Sequence, residues 1–181
     1  MGADQHEHET FTRSFASSYH LVLRYCYRRV GDMELAQELT QETFVVAWRR
    51  RHAEPSQPLP WLYGIARRVL ADQWRARRSR PATVPMAGVD VPSEGGEFEA
   101  VGLAHDLQRA FARLSEPDRE VLRLVTWEEL DVSAAAQVLG CSRTAAAVRL
   151  FRARQRLARL MNVGAPSTAP KALTPARGGI R

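Results

Sequence analysis

Ser133-Ala134-Ala135-Ala136-Gln137-Val138-Leu139-Gly140-Cys141-Ser142, followed by Arg143 through Met161, decides how this chain folds. The first segment predicts a short helix that stops at Gly140, because glycine adopts the left-handed conformation that closes a helix. Ser142 stands where the next helix needs an N-cap. Beyond it, Ala146, Leu150, Ala153, Leu157 and Leu160 recur as an apolar stripe, with Arg149, Arg152, Arg156 and Arg159 on a neighbouring face. Residues 143–161 hold six arginines and no acid. A short helix, a glycine turn and a basic second helix make a helix-turn-helix, whose second helix fits the DNA major groove. Arg143, Thr144 and Ala145, next to the capping Ser142, sit where side chains meet base edges or thymine methyls. Arg149 and Arg152, further along, suit phosphates. The competing reading is a solvated basic face on an ordinary helix; the capped turn favours DNA.

Working outward, helical patterns fill most of the chain. Phe11, Phe15, Ser18, Val22 and Cys26 repeat at helical spacing, and Gly31-Asp32 breaks that helix and caps the next. A second helix is predicted from about Met33 to Arg51, with Leu35, Ala36, Leu39, Thr43, Val46 and Ala47 inside and Glu38, Gln41 and Glu42 outside. A proline-punctuated loop at 52–60 precedes a third helix, from about Trp61 to Arg78. There Leu62, Ile65, Ala66, Val69, Leu70 and Gln73 face inward, and another side carries Arg67, Arg68, Arg75, Arg77 and Arg78. Residues 79–102 are an aperiodic, acidic, Pro/Gly/Ser-rich linker. From about 103, Leu103, Leu107, Ala110, Phe111 and Leu114 start another helix. Ser115-Glu116-Pro117-Asp118 forms a capping box before Val121, Leu122, Leu124 and Val125. The leader at 1–10 and the tail at 162–181 are expected to be disordered. No strand alternation occurs. The predicted fold is all-α: two small helical domains, 11–78 and 103–161, joined by a flexible linker, the second a helix-turn-helix domain.

The net charge of +6 suits an anionic partner, and its distribution says more. Residues 1–78 hold 12 basic and 9 acidic side chains, residues 79–100 hold 1 and 4, and residues 101–161 hold 10 and 7. Two basic blocks therefore flank an acidic spacer. Cys26 and Cys141 have no metal-ligand spacing and read as small buried hydrophobes. His6 and His8 lack partner ligands, so no metal is expected. No glycine-rich phosphate loop or nucleophile motif is present, and Asp72 beside Arg68 and Arg75 reads as an ion pair. Neither an enzyme nor a cofactor is expected. The polar, acidic N-terminus is no signal peptide, and no apolar run is long enough for a membrane helix, so the expectation is a cytoplasmic protein without membrane insertion.

The first block resembles a known family. The stretch Ala36-Gln37-Glu38-Leu39-Thr40-Gln41-Glu42-Thr43-Phe44-Val45-Val46-Ala47-Trp48 is similar to the second conserved region of bacterial RNA polymerase sigma factors. Pro60 through Arg75 is similar to the adjoining promoter-melting region. Leu114 through Leu122, Leu139-Gly140-Cys141-Ser142 and Arg152-Ala153-Arg154 resemble the fourth region. Their order and spacing are those of the short extracytoplasmic-function (ECF) type. The resemblance implies an alternative sigma factor that binds core RNA polymerase, its β′ coiled coil and β flap, and directs transcription initiation. It assigns Glu38, Leu39, Gln41 and Glu42 to polymerase binding. Trp61, Arg67, Arg68, Gln73 and Arg75 would hold the single-stranded minus-ten element, with loop 52–60 as a base pocket. Ser142, Arg143, Thr144, Ala145, Arg149 and Arg152 would meet the minus-thirty-five element of promoter DNA. Trp48 and Trp74 are expected in the core. An anti-sigma factor is a further implied partner, and the 162–181 tail is a second candidate for control. The sequence departs from the family pattern at Arg68, where asparagine is usual, at Gln37-Glu38, and at Ala145-Ala146-Ala147, where Thr-Val-Lys is usual. The alternative is a stand-alone helix-turn-helix transcriptional regulator, which leaves the first block without a task.

Overall fold

The computed structural model of the chain describes the backbone of residues 2–78 and 98–164, and the side chains of 5–78 and 104–161. Seven α-helices occur among the described residues, with no strand: α1 Gly2–Val30, α2 Met33–Arg49, α3 Pro58–Arg78, α4 Phe98–Ala112, α5 Glu116–Thr126, α6 Val132–Leu139 and α7 Arg143–Gly164. Helix boundaries follow local chemistry. Gly31 (φ 70°) ends α1, and the Asp32 carboxylate accepts the Leu35 N–H at 3.2 Å to start α2. Ser115 caps α5, with Pro117 inside the first turn.

Three expectations change at the helix ends. The leader expected to be disordered over 1–10 is helical from Gly2. His8 meets the Trp48 ring edge-on at 5.3 Å, Phe11 meets it at 5.1 Å, and Glu7 lies 3.8 Å from Arg51. These contacts from α2 and its sequel order the polar segment. The proline-rich loop is shorter than 52–60, because Arg51–Ala53 form a 3₁₀ turn and α3 already begins at Pro58. Proline is tolerated in a first helical turn, where its missing N–H has no helical partner to lose. Finally, α4 begins at Phe98 and α7 runs to Gly164, which shortens the expected linker and tail. The rest of the linker (79–97) and of the tail (165–181) lies outside the described residues.

α1, α2 and α3 pack together around Val22, Tyr25, Cys26, Ala36, Leu39, Ala47, Leu62 and Ala66. Phe44 joins them, in an aromatic group with Phe11, Phe15 and Tyr19. Thr40 and Thr43 are fully buried, and each hydroxyl donates to a backbone carbonyl one turn back at 2.7 Å. That removes the cost of burying them. α5, α6 and α7 pack around Val121, Leu124, Ala135, Ala146 and Ala153. The two groups of helices also share one core. α6 lies against α3, and buried side chains of α1 and α5 meet. Cys26 is buried, Cys141 half-buried, and both are free thiols. Burial pushes the Cys26 thiol up to about 11, so it stays protonated and inert. Trp48 and Trp74 are half-buried against the core.

Candidate nucleic-acid interface

The helix-turn-helix is assembled by short-range hydrogen bonds. The Asp131 carboxylate accepts the Ala134 N–H at 2.7 Å and starts α6. Gly140 ends it in the left-handed region (φ 66°), and its N–H and that of Cys141 cap the last turn. Ser142 Oγ accepts the Ala145 N–H at 3.2 Å and starts α7. Ala146, Leu150 and Ala153 are buried, with Leu157 and Leu160 half-buried below them, as the stripe requires. Arg143, Thr144, Ala145 and Arg152 are exposed, and Arg149 is half-buried. Of the alanine triplet, Ala146 is core, so only Ala145 and Ala147 present small apolar surface outward.

α5 and α7 begin side by side. Their N-terminal turns border a cleft of about 610 Å³, lined by Ser115 and Asp118 from α5 and by Thr144, Arg149, Arg152 and Arg156 from α7. Asp118 is the one acid there, and Arg156 neutralises it at 2.5 Å. Both helix N-termini carry partial positive charge, with the Asp118 and Ala145 N–H groups taken by the Ser115 and Ser142 hydroxyls. With two further arginines, Arg149 and Arg152, the cleft is suited to anions such as DNA phosphates. Val148 and Phe151 were not foreseen. They are 42% and 61% exposed, between the arginines. The only signal was their phase, off the stripe of Ala146, Leu150 and Ala153.

On α3 the predicted minus-ten residues do not share one face. At about 3.6 residues per turn, Trp61, Arg68 and Arg75 fall within roughly 40° of one another. Arg67 lies about 100° from Arg68, and Gln73 roughly 120° to 160° from the other three. Gln73 is half-buried on the inward side, where its place in the periodic pattern puts it. Arg67, Arg68 and Arg75 are exposed, and Trp61 is half-buried against the core. Arg75 pairs with Asp72 at 2.6 Å in the open, an arrangement that contributes little stability. In the turn before α3, both carboxylate oxygens of Glu54 are buried without a hydrogen-bond partner among the described residues.

The α2 face is corrected at one position. Glu38, Gln41 and Glu42 are exposed, but Leu39 is 2% exposed and belongs to the core. Leu39 stands one helical turn from buried Leu35 and Thr43, so the stripe turns it inward. Val45 is 48% exposed and continues the row Glu38, Gln41, Glu42 at helical spacing. It supplies the apolar member of that face. Among the described residues no group of three or more His, Cys, Asp or Glu could hold a metal, and no helix is long and apolar enough to cross a membrane.

Comparisons with known proteins match both halves. The model of sigma-70 region 2 matches residues 15–80, and that of sigma-70 region 4 matches residues 104–157. The chain is 30% identical over 152 residues to the ECF RNA polymerase sigma factor SigM of Bacillus subtilis, covering 79% of this chain and 90% of SigM. It is 31% identical over 163 residues to the ECF RNA polymerase sigma factor BldN of Streptomyces coelicolor, covering 86% of this chain and 61% of BldN. Among solved structures, its fold is similar to that of the sigma factor RpoE in complex with the anti-sigma factor NepR from Bartonella quintana. The TM-score is 0.66 at 21% identity, covering 87% of this chain and 99% of that one.

Proposed function

Because the chain belongs to the extracytoplasmic-function sigma factors of bacterial RNA polymerase, we propose that it directs core polymerase to promoters through two separate DNA-reading surfaces. One observation carries this: a single chain holds an anion cleft at paired helix N-termini and, on another helix, an arginine stripe with an aromatic ring. The α5–α7 cleft suits duplex DNA. Arg143, Thr144 and Ala145 reach base edges of the minus-thirty-five element, Arg149 and Arg152 hold phosphates, and Ser142 fixes the start of the reading helix. The small surface of Ala145 and Ala147 favours thymine methyls and DNA shape over hydrogen-bonded readout.

Trp61, Arg67, Arg68 and Arg75 suit a single strand, because an aromatic face and guanidinium groups hold unstacked bases and backbone. The turn at 51–57 that leads into α3 supplies the base pocket. Glu38, Gln41, Glu42 and Val45 form the docking surface for polymerase. The chain does no chemistry of its own: it works in the cytoplasm, selecting where polymerase starts. An anti-sigma factor that covers both halves is the regulator that fits, and the RpoE relative is held by one in its solved complex.

The test is in vitro transcription with core polymerase on a genomic library, with start sites mapped, together with a core-polymerase pull-down. Recurrent start sites with two shared upstream elements are expected. Tight, sequence-specific duplex binding by the free chain, with no polymerase association, would instead establish a stand-alone regulator.

A further inference from the structure

The polar start of α1 meets the chain again just past the end of α2, and the contact centres on one ring. Trp48 is half-buried, and three side chains close on it. The Arg51 guanidinium lies over the ring, 4.5 Å from its centre. Phe11 and His8, one helical turn apart on α1, meet it edge-on with centres 5.1 and 5.3 Å away. Glu7 adds a carboxylate 3.8 Å from the Arg51 Nε. A cation over an indole and rings set edge to face are the favoured geometries of such pairs.

Arg51 belongs at the same time to the turn that leads into α3. It opens the 3₁₀ segment Arg51–Ala53, and its carbonyl accepts the Glu54 N–H at 3.0 Å. The Ala53 N–H donates to the Arg50 carbonyl at 2.9 Å. α1 rests directly on this segment. The Arg51 side chain is thus held by α1 and Trp48 while its backbone sets the first residues of the turn at 51–57. Pro55 and Pro58 restrict the far side, because their rings fix φ. With Arg51 held at one end and the prolines at the other, little freedom is left to the residues between.

This clamp is an addition to the family frame. The match to sigma-70 region 2 starts at residue 15, so Trp48 and Arg51 lie inside it while Glu7, His8 and Phe11 lie before it. Its bonds are minor as supports of the fold. The Glu7 and Arg51 side chains are 38% and 26% exposed, and a partly exposed ion pair contributes little stability. An exposed cation–π pair is comparably modest. What these contacts supply is orientation. A pocket chooses among bases only as well as its walls are fixed before the base arrives.

We propose that Glu7 and His8 are positioning residues for the minus-ten element: through Trp48 and Arg51 they fix the turn at 51–57 and so sharpen the choice among minus-ten bases. The role in base choice rests on the sigma-factor reading; the clamp on the turn does not.

The test uses the full chain carrying Glu7→Ala with His8→Ala, and a second form lacking residues 2–9. His8→Phe alone keeps an aromatic edge against Trp48. Hydrogen–deuterium exchange of the free chain reads the Ala53 and Glu54 amides, with those of α2 and α3 as the reference. The two amides should exchange about fivefold faster in the double variant and in the shortened form, with the reference amides unchanged and His8→Phe at wild-type rates. Holoenzyme is then assayed by run-off transcription on the promoters recovered by start-site mapping and on single-base substitutions in both their elements. Discrimination at minus-ten positions should fall about fivefold in the same two forms, while minus-thirty-five discrimination and core pull-down match wild type. Unchanged exchange in both forms overturns the clamp. Faster exchange with full minus-ten discrimination overturns the role in base choice, and so does an equal loss at both elements, which marks a general structural defect. Exchange as expected, with no shared upstream elements for the wild-type chain, supports the clamp and overturns the sigma-factor reading.

Discussion

Leu39, which the family resemblance assigns to polymerase binding, is core, while Val45 on the same helix is exposed, and the difference is measurable. Leu39 is packed in the core of the first half and Val45 is open to solvent. Leu39→Ala should lower unfolding free energy by about 2–5 kcal/mol, read from urea denaturation. Val45→Asp should leave stability within about 0.5 kcal/mol and weaken core-polymerase binding. Gly140 is special for its backbone alone: a Cβ there meets nothing within 4 Å, but φ is +66°. Gly140→Ala should cost about 1–2 kcal/mol in the same measurement, as a left-handed strain and not a clash. Arg152, free on the α7 face, should behave as a phosphate contact. Arg152→Ala in the holoenzyme should reduce the slope of log affinity against log salt by about 1, with little change in promoter preference.

The meeting of α1 with α5 is electrostatic, and it carries a pH dependence. Burial by itself would raise the Glu120 pKa. The Arg29 charge and the hydrogen bonds from Arg29 and Tyr25 outweigh it, aided by Arg123, and the carboxyl sits below its ordinary value. Glu128, Arg28 and Tyr63 complete the surroundings of that contact. A carboxyl with a depressed folded pKa binds fewer protons folded than unfolded. Its stabilising contribution is therefore complete above the unfolded value of about 4.3 and is lost as pH falls through the folded value. The stability gap between wild type and Glu120→Gln should be widest near neutrality and close progressively below about pH 4.3. Thermal unfolding across that range measures it; a gap constant to pH 2 would show that the ionised carboxylate is not what matters. α1 also shows how tertiary contact extends an element. Its first turns are polar and acidic, and His8 and Phe11 hold them through Trp48, a residue far along the chain.

In the proposed function both DNA-reading surfaces act together in the complex with polymerase. Arg149→Ala with Arg152→Ala should reduce run-off transcription by at least about tenfold on promoters with both elements, and leave core binding unchanged in a pull-down. What the amino-acid order determined by itself was the helical class and the boundaries set by local caps, at Gly31-Asp32, Ser115, Gly140 and Ser142. The helix-turn-helix was legible because Gly140 and Ser142 act on backbone groups within four residues, and because stripes of period 3.6 need no partner to be recognised. The same periodicity placed Leu39 and Gln73 inward, against the surface roles the family resemblance gave them, and the packing agrees with it. Only the tertiary structure decided that Arg29 is buried and what it meets. Nothing near it in sequence marks it, since Glu120 and Glu128 lie 91 and 99 residues away, and an ion pair has no periodicity to read. Such a pair exists only when folding brings its members together and excludes water from between them, and that exclusion is what makes two helical halves one closed body.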